Sequence, residues 1–333
     1  MHKPPPAPHF VQLHQTDHAA VRAELAAGLL AHPPHASPKF FYDALGSRLF
    51  DAITELAEYY PTRTEAALFA QHGADMAQRV PAGVVLIDLG AGNCAKAASL
   101  FAVLRPTAYV AVDISVDYLR GAMGQLQQRH PERPMLGLGM DFSSELALPP
   151  AATEWLARHE LGGAPRCVFY PGSSIGNFNP IDALALLRQA RAVCAEGGPG
   201  GGLLIGVDRV KDKAVLEPAY DDPLGVTAAF NRNLLLHTNA LLGADFAPAR
   251  WQHVAFFNET ESRIEMHLQA NGAQTVRWPG GERAFVDGER LHTENSYKWA
   301  PADFDGLLRE AGFGPAQHWT DPQGWFSVFW APV

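Results

Sequence analysis

Short apolar runs alternate with stretches of helical period through the middle of this chain. Residues 84–87, 109–112, 166–170 and 203–207 are apolar enough for strands buried on both faces. Between them, residues 96–104, 116–129 and 181–196 repeat apolar positions at helical spacing, and residues 134–139 lead into Met140-Asp141-Phe142. Strand–helix alternation of this kind predicts an α/β fold with a parallel, doubly wound sheet. Ahead of it, residues 17–32 read as a helix capped by Asp17, with Val21, Leu25, Leu29 and Leu30 on one face. Residues 42–56 are again helical in period. Pro61 interrupts, and Thr62 with Glu65 has the spacing of a capping box opening another helix.

The alternation stops near Asp208. Residues 212–242 look helical, with Pro218 and Pro223 breaking the early part, and residues 253–257, 262–270 and 274–278 look like antiparallel strands. A helix over 304–311, ended by Gly312, and a strand over 326–330 close the chain. The pattern predicts a proline-rich flexible tail (residues 1–9) and a sheet domain of residues 63–208 plus 299–333. Residues 10–62 plus 209–298 would form a second, α+β lobe.

The 333 residues suffice for one large domain or two smaller ones, and 47% apolar with 18% charged residues fits a globular protein. A net charge of −9 without a lysine/arginine block disfavours nucleic acid as a partner. No signal-peptide pattern follows Met1, and no apolar run reaches the roughly 20 residues that span a bilayer. Three cysteines, Cys94, Cys167 and Cys194, lack metal spacing and fit a reducing cytoplasm. The 14 histidines form no convincing metal set; His14 and His18 share a helical spacing but read as exposed polar residues. No bound metal is expected, and a monomer is the expected state.

Chemistry concentrates in two tracts. Asp88-Leu89-Gly90-Ala91-Gly92-Asn93 is a glycine turn leaving an apolar strand, so its backbone can approach a ligand closely. Asp113 follows at the end of the next strand, where an acid can accept from both ribose hydroxyls, and Asp141-Phe142 could hold an adenine. Nicotinamide dinucleotides compete for this pattern, with Ala95 in place of the third glycine. Asp88 and Lys96 favour S-adenosylmethionine, whose amino-acid tail carries an ammonium and a carboxylate. In the second tract, Glu294 and Ser296 lie two apart, where a strand points a carboxylate and a hydroxyl to one face. That pair would grip a small polar substrate.

Further segments carry a likeness. Residues 41–50 (FYDALGSRLF) and 58–65 (EYYPTRTE), then 171–178 (PGSSIGNF), 219–222 with 225–231, 263–267 and 293–296 follow in order. Together they resemble the histidine-specific S-adenosylmethionine-dependent methyltransferases of ergothioneine biosynthesis, from about residue 38 to the C-terminus. The resemblance implies a Rossmann-like class I methyltransferase sheet. It also implies transfer of three methyl groups to the α-amino nitrogen of L-histidine, giving hercynine. It would place the cofactor on Gly90, Lys96, Asp113, Asp141, Phe142 and Gly172, beside Asp88 and Gly92 of the turn. Tyr59, Asn177 and Tyr220 would hold the amino acid's backbone groups, with Tyr59 and Asn177 next to the reacting amine. Glu294 and Ser296 would hold the imidazole, with Met266, Thr227, Tyr42 and Phe50 around it. The turn departs from the family, whose members more often carry glutamate first and serines around the glycines. An N-methyltransferase for tryptophan or tyrosine, or a non-catalytic cofactor-binding protein, remains an alternative.

Overall fold

A computed structural model describes residues 8–12 and 18–333. The chain divides into two compact units, one of residues 8–12, 61–210 and 299–333, the other of residues 18–60 and 211–298. Asp17 as a helix cap, His14 as a partner for His18, and most of the expected tail lie outside the described residues.

The first unit is built on an eight-stranded sheet. Its strands are β1 (His9–Gln12), β2 (Val85–Leu89), β3 (Ala108–Asp113), β4 (Met135–Gly139), β5 (Arg166–Tyr170), β6 (Gly202–Asp208), β12 (Gln317–Thr320) and β13 (Phe326–Pro332). They run in the order β1-β4-β3-β2-β5-β6-β13-β12, parallel through β6, with β13 and β12 antiparallel at one end. Every residue of β2 to β6 is buried. That is why these strands read as apolar runs: helices on both faces leave no side for water. The flanking helices are α3 (Tyr60–Arg79), α4 (Ala95–Leu104), α5 (Val116–Arg129), α6 (Pro150–Arg158), α7 (Pro180–Ala195) and α10 (Pro301–Glu310).

Two local expectations fail here. Residues 9–12 pair in register with Leu136–Gly139, so they belong to the sheet's edge and not to a tail or the second lobe. Helix α3 already starts at Tyr60, which places Thr62 and Glu65 inside it and rules out a capping box at Thr62. The N-cap of α7 is Asn179, whose side chain accepts from the N–H groups of Ile181 and Asp182.

The second unit contains α1 (His18–Leu30), α2 (Ala44–Thr54), α8 (Lys213–Leu216), α9 (Val226–Leu242) and five strands. The region 212–242 is interrupted at Pro218 and Pro223, leaving a short α8, a 3-10 turn and then α9. Strands β7 (Trp251–Asn258), β8 (Arg263–Ala270) and β11 (Arg290–Tyr297) form an antiparallel sheet with β8 in the centre, and β9 (Gln274–Trp278) pairs with β10 (Gly281–Phe285) as a hairpin. Asp43 caps α2 through Gly46 N–H at 2.7 Å. A Cβ on Gly46 would collide with the Phe41 carbonyl, so this entry to α2 needs glycine. Among the described residues no helix is long and apolar enough to cross a membrane.

Candidate active site

In the sheet unit, the chain leaves β2 through Gly90 and Gly92, both in the left-handed region (φ +69° and +51°), before α4 begins. The amides of Gly90 and Ala91 both donate to the Val112 carbonyl. Asp113 clamps the turn. One carboxylate oxygen accepts from Gly92 N–H and the other from Ser115 N–H, each at 2.8 Å. Burial pushes the Asp113 carboxyl up, and those two backbone donors oppose the shift. Phe142 stands edge-on to Tyr170 at 5.8 Å and is the nearest side chain to where a Gly90 Cβ would sit. Asp141 accepts from the backbone and hydroxyl of Ser143.

Behind the turn lies a charged junction that the sequence reading missed. Glu65 of α3 is 0% exposed. Its carboxylate accepts from Lys96 Nζ and from Gly172 N–H, both at 2.8 Å. Gly172 has φ +77°, and a Cβ there would stand 2.8 Å from Lys96 Nζ. The strand that Glu65 rests against carries glycine at the contact, because a Cβ on Gly206 would overlap a Glu65 carboxylate oxygen. A glycine inside an apolar strand was the available signal for such a close approach.

Asp88 is placed differently from expectation. It is 1% exposed, one oxygen accepts from Tyr109 Oη at 2.7 Å, and the other has no hydrogen-bond partner among the described residues. Burial pushes its carboxyl up to about 7, against the Tyr109 hydrogen bond. The side chain therefore anchors the turn from within the core and does not reach a ligand's ammonium directly. Asn177, in the 3-10 turn Ser174–Asn177 after β5, is half-buried.

In the second unit the expected residues cluster. The rings of Tyr42 and Phe50 lie 5.8 Å apart, Phe50 and Tyr59 6.2 Å, and Tyr59 and Tyr220 6.3 Å, all edge-to-face. Phe230, not foreseen, stacks on Phe41 and meets Tyr42 and Phe50. Thr227 is buried on α9, and its N–H donates to Asp222 at 2.7 Å. Met266 of β8 pairs in register with Glu294 of β11, next to a bulge after His292.

Glu294 is 8% exposed. No hydrogen bond reaches its carboxyl from the described residues, and burial pushes it up to about 8, with Lys298 pulling the other way. Two residues on, Ser296 Oγ lies 2.8 Å from Tyr220 Oη and accepts from Lys298 Nζ at 2.8 Å. The Tyr220 hydroxyl thus stands with Ser296, beside the expected imidazole grip.

The family described as "Histidine-specific methyltransferase, SAM-dependent" matches residues 21–333. The chain belongs to this methyltransferase family. It is 38% identical to a histidine N-alpha-methyltransferase of Mycolicibacterium smegmatis over 315 residues, covering 93% of this chain and 94% of that protein. A protein of the same name from Mycobacterium tuberculosis is 38% identical over 93% of this chain and 94% of its own length. Ergothioneine biosynthesis protein 1 of Neurospora crassa is 29% identical over 84% of this chain, which corresponds to 31% of that longer protein.

The residues of this methyltransferase fit the S-adenosylmethionine on which the family depends. Glycines at 90, 92 and 172 hold positive φ, a Cβ at 172 would crowd Lys96 Nζ, and the carboxylates of Asp113 and Asp141 lie at the ends of successive strands. Lys96 has three N–H groups, one of which goes to Glu65, so it can also meet a carboxylate.

The methyltransferase also groups residues that histidine spacing did not. Glu265, His267 and His292 each bring a ligand-capable atom within 4.8 Å of the others. Glu265 accepts from Asn258 and Arg263, each at 2.9 Å, and pairs with His267 at 3.0 Å. Burial works against its ionisation, yet these donors hold the carboxyl down at about 2. The trio reads as a polar ladder across β8 and β11.

Proposed function

We propose that this chain methylates the α-amino nitrogen of L-histidine three times, giving hercynine in the first step of ergothioneine biosynthesis. The observation that carries this reading is the carboxyl of Glu294, a residue 8% exposed, which no described residue supplies with a hydrogen-bond donor, two positions from the Ser296 hydroxyl. A buried carboxyl left unpartnered is costly, by about 1–3 kcal/mol or more, unless a ligand supplies the missing donor. An imidazole supplies one N–H for Glu294 and a second nitrogen for Ser296. Met266, Thr227, Tyr42 and Phe50 surround the ring.

S-adenosylmethionine, held by Gly90, Gly92, Lys96, Asp113, Asp141, Phe142 and Gly172, supplies a methyl group already activated on sulfur. The protein's task is then mostly positioning. The amine must shed its proton before each transfer, because the ammonium has no lone pair. Tyr59 and Asn177 orient that nitrogen, and Tyr59 passes the proton to water. Asn177 has a carbonyl that accepts and an NH₂ that donates, which suits both amine and carboxylate. Each methyl removes an N–H and adds bulk, so the amine's contacts must release one at a time. The rings of Tyr42, Phe50 and Tyr59 tolerate methyls and favour the growing cation by ~0.5–2 kcal/mol. The acidic chain acts in the cytoplasm as a monomer, without nucleic acid.

Release of S-adenosylhomocysteine, measured with each of the twenty amino acids and followed by mass spectrometry of the product, tests the proposal. Turnover with histidine alone, ending in a trimethylated product, is the expected result. Comparable turnover with tryptophan or tyrosine, or cofactor binding without turnover, would sink it.

A further inference from the structure

Lys298 lies two positions beyond Ser296, just past the end of β11, and continues the alternation that begins with Glu294. It is 3% exposed, unusual for a lysine. Its ammonium donates to Ser296 Oγ at 2.8 Å and to Tyr220 Oη at 2.9 Å, and these two hydroxyls lie 2.8 Å from each other. Nζ also stands 4.8 Å from the centroid of the Tyr220 ring. One cation and two hydroxyls thus close a triangle.

We propose that Lys298 is a positioning residue that turns the Ser296–Tyr220 hydroxyl pair into a hydrogen-bond donor, so that the site selects a ring bearing both an N–H and an unprotonated nitrogen. The proposal rests on the assignment of Glu294 and Ser296 to the imidazole.

The argument is a count of protons. An ammonium has N–H donors and no lone pair, so both hydroxyls accept from it. One hydroxyl donates to the other across their 2.8 Å contact. With the more acidic phenol as that donor, Ser296 Oγ has both acceptor positions filled, by Lys298 and Tyr220, and its own proton is left for a third partner. Glu294, when ionised, can only accept. The two ends of the grip therefore have opposite polarity: acceptor at Glu294, donor at the hydroxyl pair. A neutral imidazole matches both ends. An indole offers an N–H and no second nitrogen, and an imidazolium presents a proton to a donor. Without the ammonium, the receiving hydroxyl regains a lone pair and the polarity is lost.

Lys298→Met keeps an unbranched side chain, one atom shorter, and removes its charge. The test is calorimetric titration of L-histidine into protein saturated with S-adenosylhomocysteine. Wild type, Lys298→Met, Ser296→Ala and the double variant are compared. Thermal melting and S-adenosylhomocysteine affinity serve as checks on folding. Lys298→Met is expected to weaken histidine binding by about 10–100-fold while S-adenosylhomocysteine binds within about threefold of wild type. The double variant should be no more than about threefold weaker than the worse single variant, because both substitutions disable one device.

A second readout is selectivity. Pyrrolylalanine keeps the ring N–H and lacks the second nitrogen. Wild type should prefer histidine over it by roughly 30-fold or more, and Lys298→Met by less than about fivefold. A merely structural lysine would leave that ratio unchanged. Fully additive losses in the double variant, an unchanged ratio, or Lys298→Met binding histidine like wild type would each overturn the inference. Wild type failing to bind histidine would overturn the substrate assignment itself, and the inference with it.

Discussion

The glycine turn of the sheet unit presents backbone, whereas β11 of the second unit presents side chains. At the turn, Gly90, Gly92 and Gly172 keep Cβ atoms out of the way, and the acids around them are already engaged: Asp113 by two amides, Glu65 by Lys96 and Gly172, Asp88 by Tyr109. At β11 no described residue gives the Glu294 carboxyl a donor, while its neighbours Ser296, Tyr220 and Lys298 bond to one another. A site of the first kind is held together before any ligand arrives. A site of the second kind keeps one polar group in reserve, and this is what lets it discriminate among ligands. Uniform contacts give affinity; a buried group that only one ligand can satisfy gives selectivity.

Separating the two regions by mutation is the sharpest way to break that comparison. Glu294→Leu removes the reserved acceptor. Its kcat/KM for histidine is expected to fall by about 10³–10⁴-fold, with S-adenosylhomocysteine affinity within about threefold of wild type. Calorimetry with each ligand separately checks this, and equal loss of both would show that the two regions are not distinct. Glu65→Gln is the counterpart in the sheet unit. Removing the buried charge from this half-buried pair leaves Lys96 without its carboxylate partner and weakens the hold on Gly172. Cofactor affinity should drop by about 10–100-fold and stability by roughly 1–3 kcal/mol, read from denaturant titrations. Cofactor binding unchanged in Glu65→Gln would remove the junction from the cofactor site.

The same contrast explains what the sequence made legible. Strands β2 to β6 were readable because both faces are covered, so apolar residues run without a break. The edge strands β1 and β12 escaped notice: His9–Gln12 and Gln317–Thr320 are four residues each and mix polar with apolar positions. The glycine turn was legible since its chemistry is local. Glu65 was misread as a capping residue, because its partners lie 31 and 107 positions along the chain and no local spacing reports them. Glu294 and Ser296 stood out as a same-face pair, but Lys298 reads as an ordinary surface lysine until its burial is known. Tyr220, 78 residues upstream of that lysine, shows the same limit: it was expected to hold the amino acid's backbone groups, and its hydroxyl contacts with Ser296 and Lys298 were not foreseen.

The smallest effect concerns the two buried acids, one in each region. Glu294 is raised from 4.5 to about 8 and Asp88 from 3.8 to about 7, in both cases chiefly by burial. In the unfolded chain each carboxyl loses its proton near its ordinary value. Between that value and the raised one, the folded protein retains a proton that the unfolded chain has released. Stability contributed by the neutral forms is therefore present below pH 4 and declines as pH rises toward 8. Glu294→Gln cannot ionise, so its stability should fall less than wild type's between pH 5 and 8, by about 1–2 kcal/mol once local relaxation softens the burial cost. Asp88→Asn is expected to flatten the slope too, with a further loss at high pH, where Tyr109 loses an ionised acceptor. The regions part on adding ligand. Saturating histidine gives Glu294 a donor and should flatten its share of the slope, while S-adenosylhomocysteine leaves that share in place. Urea midpoints at pH 5 and 8, with and without each ligand, would show it. A histidine-independent slope in wild type would mean that the β11 carboxyl is as self-contained as the one beneath the glycine turn.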